Sequence, residues 1–134
     1  MEILAGNVGY LNITAFFHPD EAGDAIAAAM HMIRHAGALI LDTRDNGSGS
    51  PDTMALIASY CFHRAGIPLA DITPRSGEAR HYVTASGIVD RDGKRPVYVL
   101  TSAHTWIEGE KRAARPEVWE PIRAYGIGSF WGGY

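Results

Sequence analysis

Residues able to carry out acyl transfer are crowded into one short stretch of the chain. Ser102, His104 and Thr105 lie close together, and Glu108 and Glu110 follow them. A hydroxyl beside an imidazole is the minimum set for nucleophilic catalysis, with His104 as the general base. The same residues also fit a surface turn in which His104 makes only local hydrogen bonds. The sequence leaves both interpretations open.

A second candidate site is the glycine-rich loop at 46–51, which reads Asn-Gly-Ser-Gly-Ser-Pro. Glycines let backbone amides turn outward without a Cβ clash, and the N-terminus of a following helix adds partial positive charge. Gly47, Ser48 and Gly49 are therefore predicted to hold an oxyanion or another ligand. A tight turn that binds nothing is the alternative.

No metal or cofactor is expected. Cys61 is the only cysteine, so neither an internal disulfide nor a cysteine metal cage can form. His31 and His35 have the spacing of one helical face, which suits a metal, but no carboxylate accompanies them in a recognised motif. We therefore expect a solvated helix face at these two histidines.

The elements that must position these groups alternate between strands and helices. Apolar spacing and capping residues predict a strand over 8–17, a helix capped by Asp20 and running up to Gly37, and a strand buried on both faces over 38–42. They further predict a helix over 54–62 capped by Ser50 or Asp52, a strand or hairpin arm over 79–85, a buried strand over 96–101 and a polar helix around 108–115. Right-handed crossovers would place the strands side by side in one sheet, which indicates an α/β domain.

The last residues of the chain mix glycines with large aromatic side chains. Pro116 is predicted to open a short helix over 117–120, and 113–134 is a divergent tail of one domain that spans 1–134. The aromatic surface of this tail must be buried in the core or in an oligomer interface. We expect a homo-oligomer.

Charge and hydropathy argue against nucleic acid and membranes as partners. The net charge is −3 and no tract concentrates Lys and Arg, so no nucleic-acid partner is expected. No apolar run approaches the roughly 18 residues of a membrane span, and the N-terminus has no signal-peptide pattern. These features predict a cytoplasmic protein without membrane contact.

Three segments, in this order, resemble the core of tail-specific (C-terminal-processing) serine peptidases, nearest to the branch with interphotoreceptor retinoid-binding protein domains. They are 6–13, the Asp-x-Arg-x-Asn-Gly-x-Gly pattern within 38–49, and the strand and its exit at 96–102. The resemblance implies a crotonase-like fold of stacked ββα units with a mostly parallel sheet. A generic doubly wound α/β domain is the alternative.

The resemblance also implies where the catalytic groups should be. The glycine loop would supply backbone N–H groups near the scissile carbonyl, and the nucleophilic serine would follow the strand over 96–101. Ile107 stands at that serine position, and 113–134 does not match the family's downstream segments. The resemblance therefore implies a peptidase-like fold without the family's nucleophile.

Three functions are consistent with these observations. The first is a peptidase-like domain without peptidase activity that binds a peptide or small apolar ligand, with Tyr10, Phe17 and Trp106 as candidate pocket residues. The second is a serine-peptidase or esterase-type hydrolase with relocated catalytic residues that uses the glycine loop as its oxyanion site. A folded remnant of a peptidase gene without evolved activity is the third.

Overall fold

The computed structural model describes residues 1–47, 49–72, 77–91, 93–101, 112–114 and 122–126. In chain order its elements are β1 (Glu2–Leu4), β2 (Val8–Asn12), α1 (Pro19–Met32), β3 (Ala38–Asp42), α2 (Pro51–Cys61), β4 (Pro68–Ile72), β5 (Arg80–Val83), β6 (Val97–Thr101), β7 (Arg112–Ala114) and β8 (Ile122–Gly126).

The larger sheet has five strands in the order β1-β2-β3-β6-β8. Strand β1 is antiparallel to β2, and the other neighbours are parallel to each other. The predicted α/β class with a mostly parallel sheet is confirmed. A smaller antiparallel sheet has the order β5-β4-β7.

One face of the larger sheet is packed against both helices. Leu39 and Leu41 of β3 are fully buried, whereas Ala38 and Ile40, which alternate with them, are half-buried. Strand β3 is therefore buried fully on one face only, which corrects the prediction of burial on both. The core beneath the helices includes Phe16, Met30, Ile33, Leu39, Leu41, Met54, Ile57, Phe62, Leu69, Val97 and Val99.

Helix α1 approaches the sheet closely at its C-terminal end. A Cβ on Gly9 of β2 would lie 3.2 Å from the Ile33 Cβ and 3.3 Å from the Ala36 Cβ, so a side chain there would push the helix end away. The helix begins two residues earlier than predicted. His18 is its N-cap and its side chain accepts from the Asp20 N–H, while Pro19 occupies the first turn, where it is favoured because no N–H is needed.

Helix α2 begins at Pro51, before the predicted 54, and Ser50, one of its two predicted caps, is the N-cap. The Ser50 side chain accepts from the Asp52 N–H, and Pro51 follows the cap directly. The helix ends at Cys61, and most of its residues from Thr53 onward are buried. It therefore forms the central helix of the core.

Several sequence predictions were wrong. The first strand ends at Asn12 rather than continuing to 17, because the chain turns so that Phe16 enters the core. The polar helix around 108–115 does not include Arg112–Ala114, which is strand β7 paired with β4. The helix over 117–120 lies outside the described residues. Strands β1, β4 and β8 were not predicted.

No helix among the described residues is long and apolar enough to cross a membrane.

Candidate functional site

Strands β3 and β6 are parallel neighbours, and their C-terminal ends lie side by side at the carboxyl edge of the larger sheet. The Thr43 N–H and the Thr43 hydroxyl both donate to the Leu100 carbonyl, at 2.9 and 2.8 Å. The loop that follows β3 therefore starts beside the point where the chain leaves β6. In parallel α/β sheets, ligands bind outside the carboxyl ends of the strands, so this edge is the first place to look for a site.

The glycine loop is fastened to the segment that follows β2. Gly49 and Phe16 form an isolated parallel bridge, and the Ser50 N–H donates to the Phe16 carbonyl at 2.7 Å. Gly49 has a φ of +146°, and a Cβ on it would lie 2.5 Å from the Phe16 N and 2.6 Å from its Cα. Only glycine fits this position, both for its backbone angle and for the space available.

Two amides of this loop have no acceptor among the described residues. The Asn46 N–H donates to the Thr43 carbonyl at 3.0 Å, whereas the Gly47 and Gly49 N–H groups make no hydrogen bond within the described part of the chain. Gly47 is exposed and has open space where a Cβ would project. Among the described residues of the loop, these two N–H groups are donors that a ligand can meet.

The N-terminus of α2 contributes less than the sequence predicted. Ser50 already caps the Asp52 N–H at 3.2 Å, and Pro51 has no N–H to offer. The Asp52 carboxylate in the first turn also offsets the partial positive charge of the helix end. A bound anion would therefore depend on the glycine amides more than on the helix.

A buried carboxylate lies at the start of the loop. The Asp42 carboxylate accepts from Arg44 Nε at 2.9 Å, from Arg44 Nη2 at 2.8 Å and from the Tyr10 hydroxyl at 2.6 Å. The hydrogen bonds from Arg44 hold the pKa of Asp42 well below its usual range, and the hydrogen bond to Asp42 raises the pKa of the Tyr10 hydroxyl. Asp42 is thus a fixed anion that anchors the loop.

Asn46 is buried beneath the loop without a partner. It has no exposed surface, and neither its amide nitrogen nor its amide oxygen is hydrogen-bonded within the described residues. A buried amide in this state costs about 1–3 kcal/mol. The sequence did not predict that Asn46 is buried, because nothing in the neighbouring residues indicates burial.

Comparison with known proteins decides the family. Residues 7–114 match peptidase family S41. The chain belongs to peptidase family S41. No curated protein matches the chain.

Two solved peptidase structures share the fold. One is titled a photosystem II D1 C-terminal processing protease, with 23% identity and a TM-score of 0.53 over 77% of this chain and 27% of that one. The other is a putative peptidase from Parabacteroides merdae, with 22% identity and a TM-score of 0.53 over 78% of this chain and 36% of that one. The chain thus spans about a third or less of the length of these structures, and the likeness shows the fold alone.

All three predicted catalytic residues of this S41 chain, Ser102, His104 and Thr105, lie outside the described residues. Outside them too are Ser48 of the predicted oxyanion site, the pocket candidate Trp106, and Ile107. Of the pocket candidates, Tyr10 is bonded to Asp42, and Phe17 is 61% exposed with its carbonyl accepting from the Thr53 hydroxyl. Neither side chain lines the two cavities described next.

The two predicted helical histidines do not share a helix. Helix α1 ends at Met32, so His35 lies beyond it, and His31 Nδ1 lies 2.8 Å from an Asp90 carboxylate oxygen. Within the described residues, no group of three or more His, Cys, Asp and Glu side chains is placed to hold a metal. The prediction that both histidines lie on one helix face is therefore wrong, because His35 lies outside the helix.

Two surface cavities were not predicted from the sequence. One, of about 400 Å³, lies between α2 and β5. The other, of about 210 Å³, lies between the end of β2 and the alanine-rich face of α1, and it is lined by Leu11, Ile13, Ala22, Ala25, Ile26, Ala29 and Ile57 among others. The alanine spacing in α1 is the sequence signal that points to the second cavity.

Proposed function

We propose that this S41 chain is a peptidase-like domain that binds a peptide or a small apolar ligand without cleaving it. The observation that carries the proposal is the pair of hydrogen bonds from Thr43 to the Leu100 carbonyl, because it brings the glycine loop to the exit of β6. In the family pattern the nucleophilic serine follows that exit, and in this sequence the position is Ile107. Isoleucine has no group that can attack a carbonyl.

The described part of the site supports binding better than proton transfer. Gly47 and Gly49 keep two amides free of described acceptors, so a ligand carbonyl or carboxylate has donors to meet. Asp42, the buried carboxylate at the end of β3, is already bonded to Arg44 and Tyr10 and has a strongly lowered pKa. A carboxylate in that state is a poor general base at neutral pH.

We further propose that the domain has a crotonase-like fold and belongs to the branch with interphotoreceptor retinoid-binding protein domains. Both helices pack on one face of the larger sheet, which suits stacked crotonase-like ββα units better than a doubly wound sheet with helices on both faces. The order of the three motifs supports the branch with interphotoreceptor retinoid-binding protein domains. Binding of a small apolar ligand is consistent with that branch and with the alanine-lined cavity.

A hydrolase with relocated catalytic groups is the second candidate. The Gly47 and Gly49 amides, which have no acceptor among the described residues, favour it, since oxyanion stabilisation needs donors of this kind. In this version Ser102 or Thr105 is the nucleophile and His104 its general base.

A turnover assay separates the two candidates. Purified protein is tested on a panel of fluorogenic esters and peptides beside Ser102→Ala and His104→Ala, with the exposed Ser86→Ala as the matched control. All four proteins must give the same circular dichroism spectrum and the same elution volume. We expect no turnover above buffer. Turnover that is lost in Ser102→Ala or His104→Ala but kept in Ser86→Ala would establish the hydrolase instead.

A further inference from the structure

Strand β5 has an outer edge to which no described strand is paired. It is the terminal strand of the smaller sheet, with β4 on its inner side. The Thr84 N–H donates to the Ile67 carbonyl at 3.0 Å, and the Gly66 N–H donates to the Thr84 carbonyl at 2.9 Å. Thr84 therefore directs both backbone groups toward β4. Because strand residues alternate in direction, His81 and Val83 direct theirs toward the outer edge.

The same alternation shows where the run of unpaired backbone groups along this edge ends. Ala85, the next outward residue, donates its N–H to the Ser59 hydroxyl of α2 at 2.8 Å, and its carbonyl accepts from the Arg91 guanidinium. The outward backbone groups of Ala85 are thus occupied, whereas those of His81 and Val83 have no partner among the described strands. The edge offers pairing positions at two alternate residues.

A groove runs along this open edge. The cavity of about 400 Å³ lies between β5 and α2, with Leu56 and Ala55 on the helix side and Val83 on the strand side. Val83 is 46% exposed, which leaves apolar surface beside the free backbone groups. Arg80 and Asp52 also line the groove. Arg80 hydrogen-bonds to the Tyr82 hydroxyl, and no described carboxylate, Asp52 included, forms a salt bridge with it.

We propose that this groove binds an extended, acidic and apolar peptide segment of another protein, which pairs with His81 and Val83 as an added strand. The proposal rests on the proposed function and gives its peptide a location. A row of unpaired backbone groups is matched best by another extended backbone. An apolar side chain of the peptide packs against Leu56 and Val83, and Arg80 donates hydrogen bonds to a peptide carboxylate.

The probe is a fluorescein-labelled peptide, Thr-Val-Glu-Val-Thr-Val-Glu, whose binding is followed by fluorescence anisotropy. Two further versions carry N-methyl groups on all the valine amides or on all the other amides. An added strand uses the amides of one set and directs those of the other set away from β5. We expect one version to bind at least about tenfold more weakly, since several hydrogen bonds are lost, and the other to bind as the parent does.

Variants of the protein test the same contact from the other side. Val83→Pro removes an N–H that faces outward, so the pairing of β4 and β5 is kept, and an unchanged circular dichroism spectrum checks this. We expect binding about three- to tenfold weaker in Val83→Pro. Arg80→Glu should weaken binding similarly, whereas Arg64→Glu, an exposed arginine outside the groove, should not.

The outcomes separate this proposal from the proposed function. Equal affinity for both N-methylated versions, or full affinity in folded Val83→Pro, overturns strand addition at β5 while leaving peptide binding elsewhere on the chain intact. Absence of saturable binding by the parent peptide also overturns it. The lack of catalysis is read independently by the turnover assay.

Discussion

Replacing Gly49 by alanine should destabilise the fold strongly, because this residue is where the glycine loop touches the rest of the protein. Its φ of +146° lies in a region that residues with a Cβ rarely adopt. The new Cβ would also lie 2.5 Å from the Phe16 N and 2.6 Å from the Phe16 Cα. Those atoms belong to the backbone, so they cannot turn away as a flexible side chain can.

The two effects set the size of the loss. A residue held in such a sparsely populated backbone region costs about 1–3 kcal/mol. Forcing an extra methyl into packed surroundings costs about 1–3 kcal/mol more. Together they predict that Gly49→Ala lowers the free energy of unfolding by about 2–6 kcal/mol, a large part of the roughly 5–15 kcal/mol that holds a domain folded.

Gly47→Ala is the matched control from the same loop. Gly47 has no positive φ, and a Cβ there would meet no atom within 4 Å. We expect its free energy of unfolding to change by less than about 0.5 kcal/mol. Urea unfolding followed by circular dichroism measures both variants, and a thermal scan should show Gly49→Ala melting at least about 6 °C below the unmodified protein.

Gly49→Ala melting at the same temperature as the unmodified protein would refute this prediction. An equal loss of stability in Gly47→Ala would refute it too, because the contact with Phe16 would then have no special role.

Two further changes test the surroundings of the loop and of β5. Asp42→Asn should lower the free energy of unfolding by about 1–2 kcal/mol through its weakened hydrogen bonds to Arg44 and Tyr10. Because the pKa of Asp42 is lowered by folding, its stabilisation is present above the unfolded pKa of about 3.9 and is lost as the pH falls below that value. The urea midpoint of the unmodified protein should therefore fall more between pH 5 and pH 3 than that of Asp42→Asn, and parallel curves would contradict this. Thr84→Val should cost about 1–3 kcal/mol, since the Ile67 N–H loses the hydroxyl that accepts it at 2.9 Å, whereas Thr84→Ser should keep most of the stability in the same urea assay.

The helices and the central strands could be predicted from local sequence signals. Ser50 followed by Pro51 marks the start of α2, and the apolar runs of β3 and β6 mark strands of a parallel sheet. At the start of α1, Asp20 fits a cap by type, but Pro19 at the first helical position makes His18 the cap. The preference of proline for the first helical position therefore indicates His18 rather than Asp20 as the cap.

The strands that were missed are decided by distant partners. Arg112–Ala114 consists of good helix formers, yet pairing with β4 makes it a strand. Strand β8 follows Pro121 and ends at a glycine, and its only described pairing is with β6. Strand β1 has three residues, and the turn that follows it is indicated only by Gly6 and Asn7, both at positive φ.

The candidate site could be located from the sequence more readily than it could be understood. The glycine pattern indicated the loop, in which the Gly47 N–H has no acceptor among the described residues. The contact of Gly49 with Phe16, the buried amide of Asn46 and the groove beside β5 depend on the path of the chain in space. No pattern along the sequence carries that information.

The most direct test of the central claim is exposure of the purified chain to a biotinylated, serine-directed fluorophosphonate, followed by intact-mass spectrometry. If the chain is the non-cleaving domain that we propose, no stoichiometric adduct forms, because Ile107 is then at the position of the family's nucleophile. A single adduct that maps to Ser102, and that disappears in Ser102→Ala, would refute the proposal and make this chain a hydrolase.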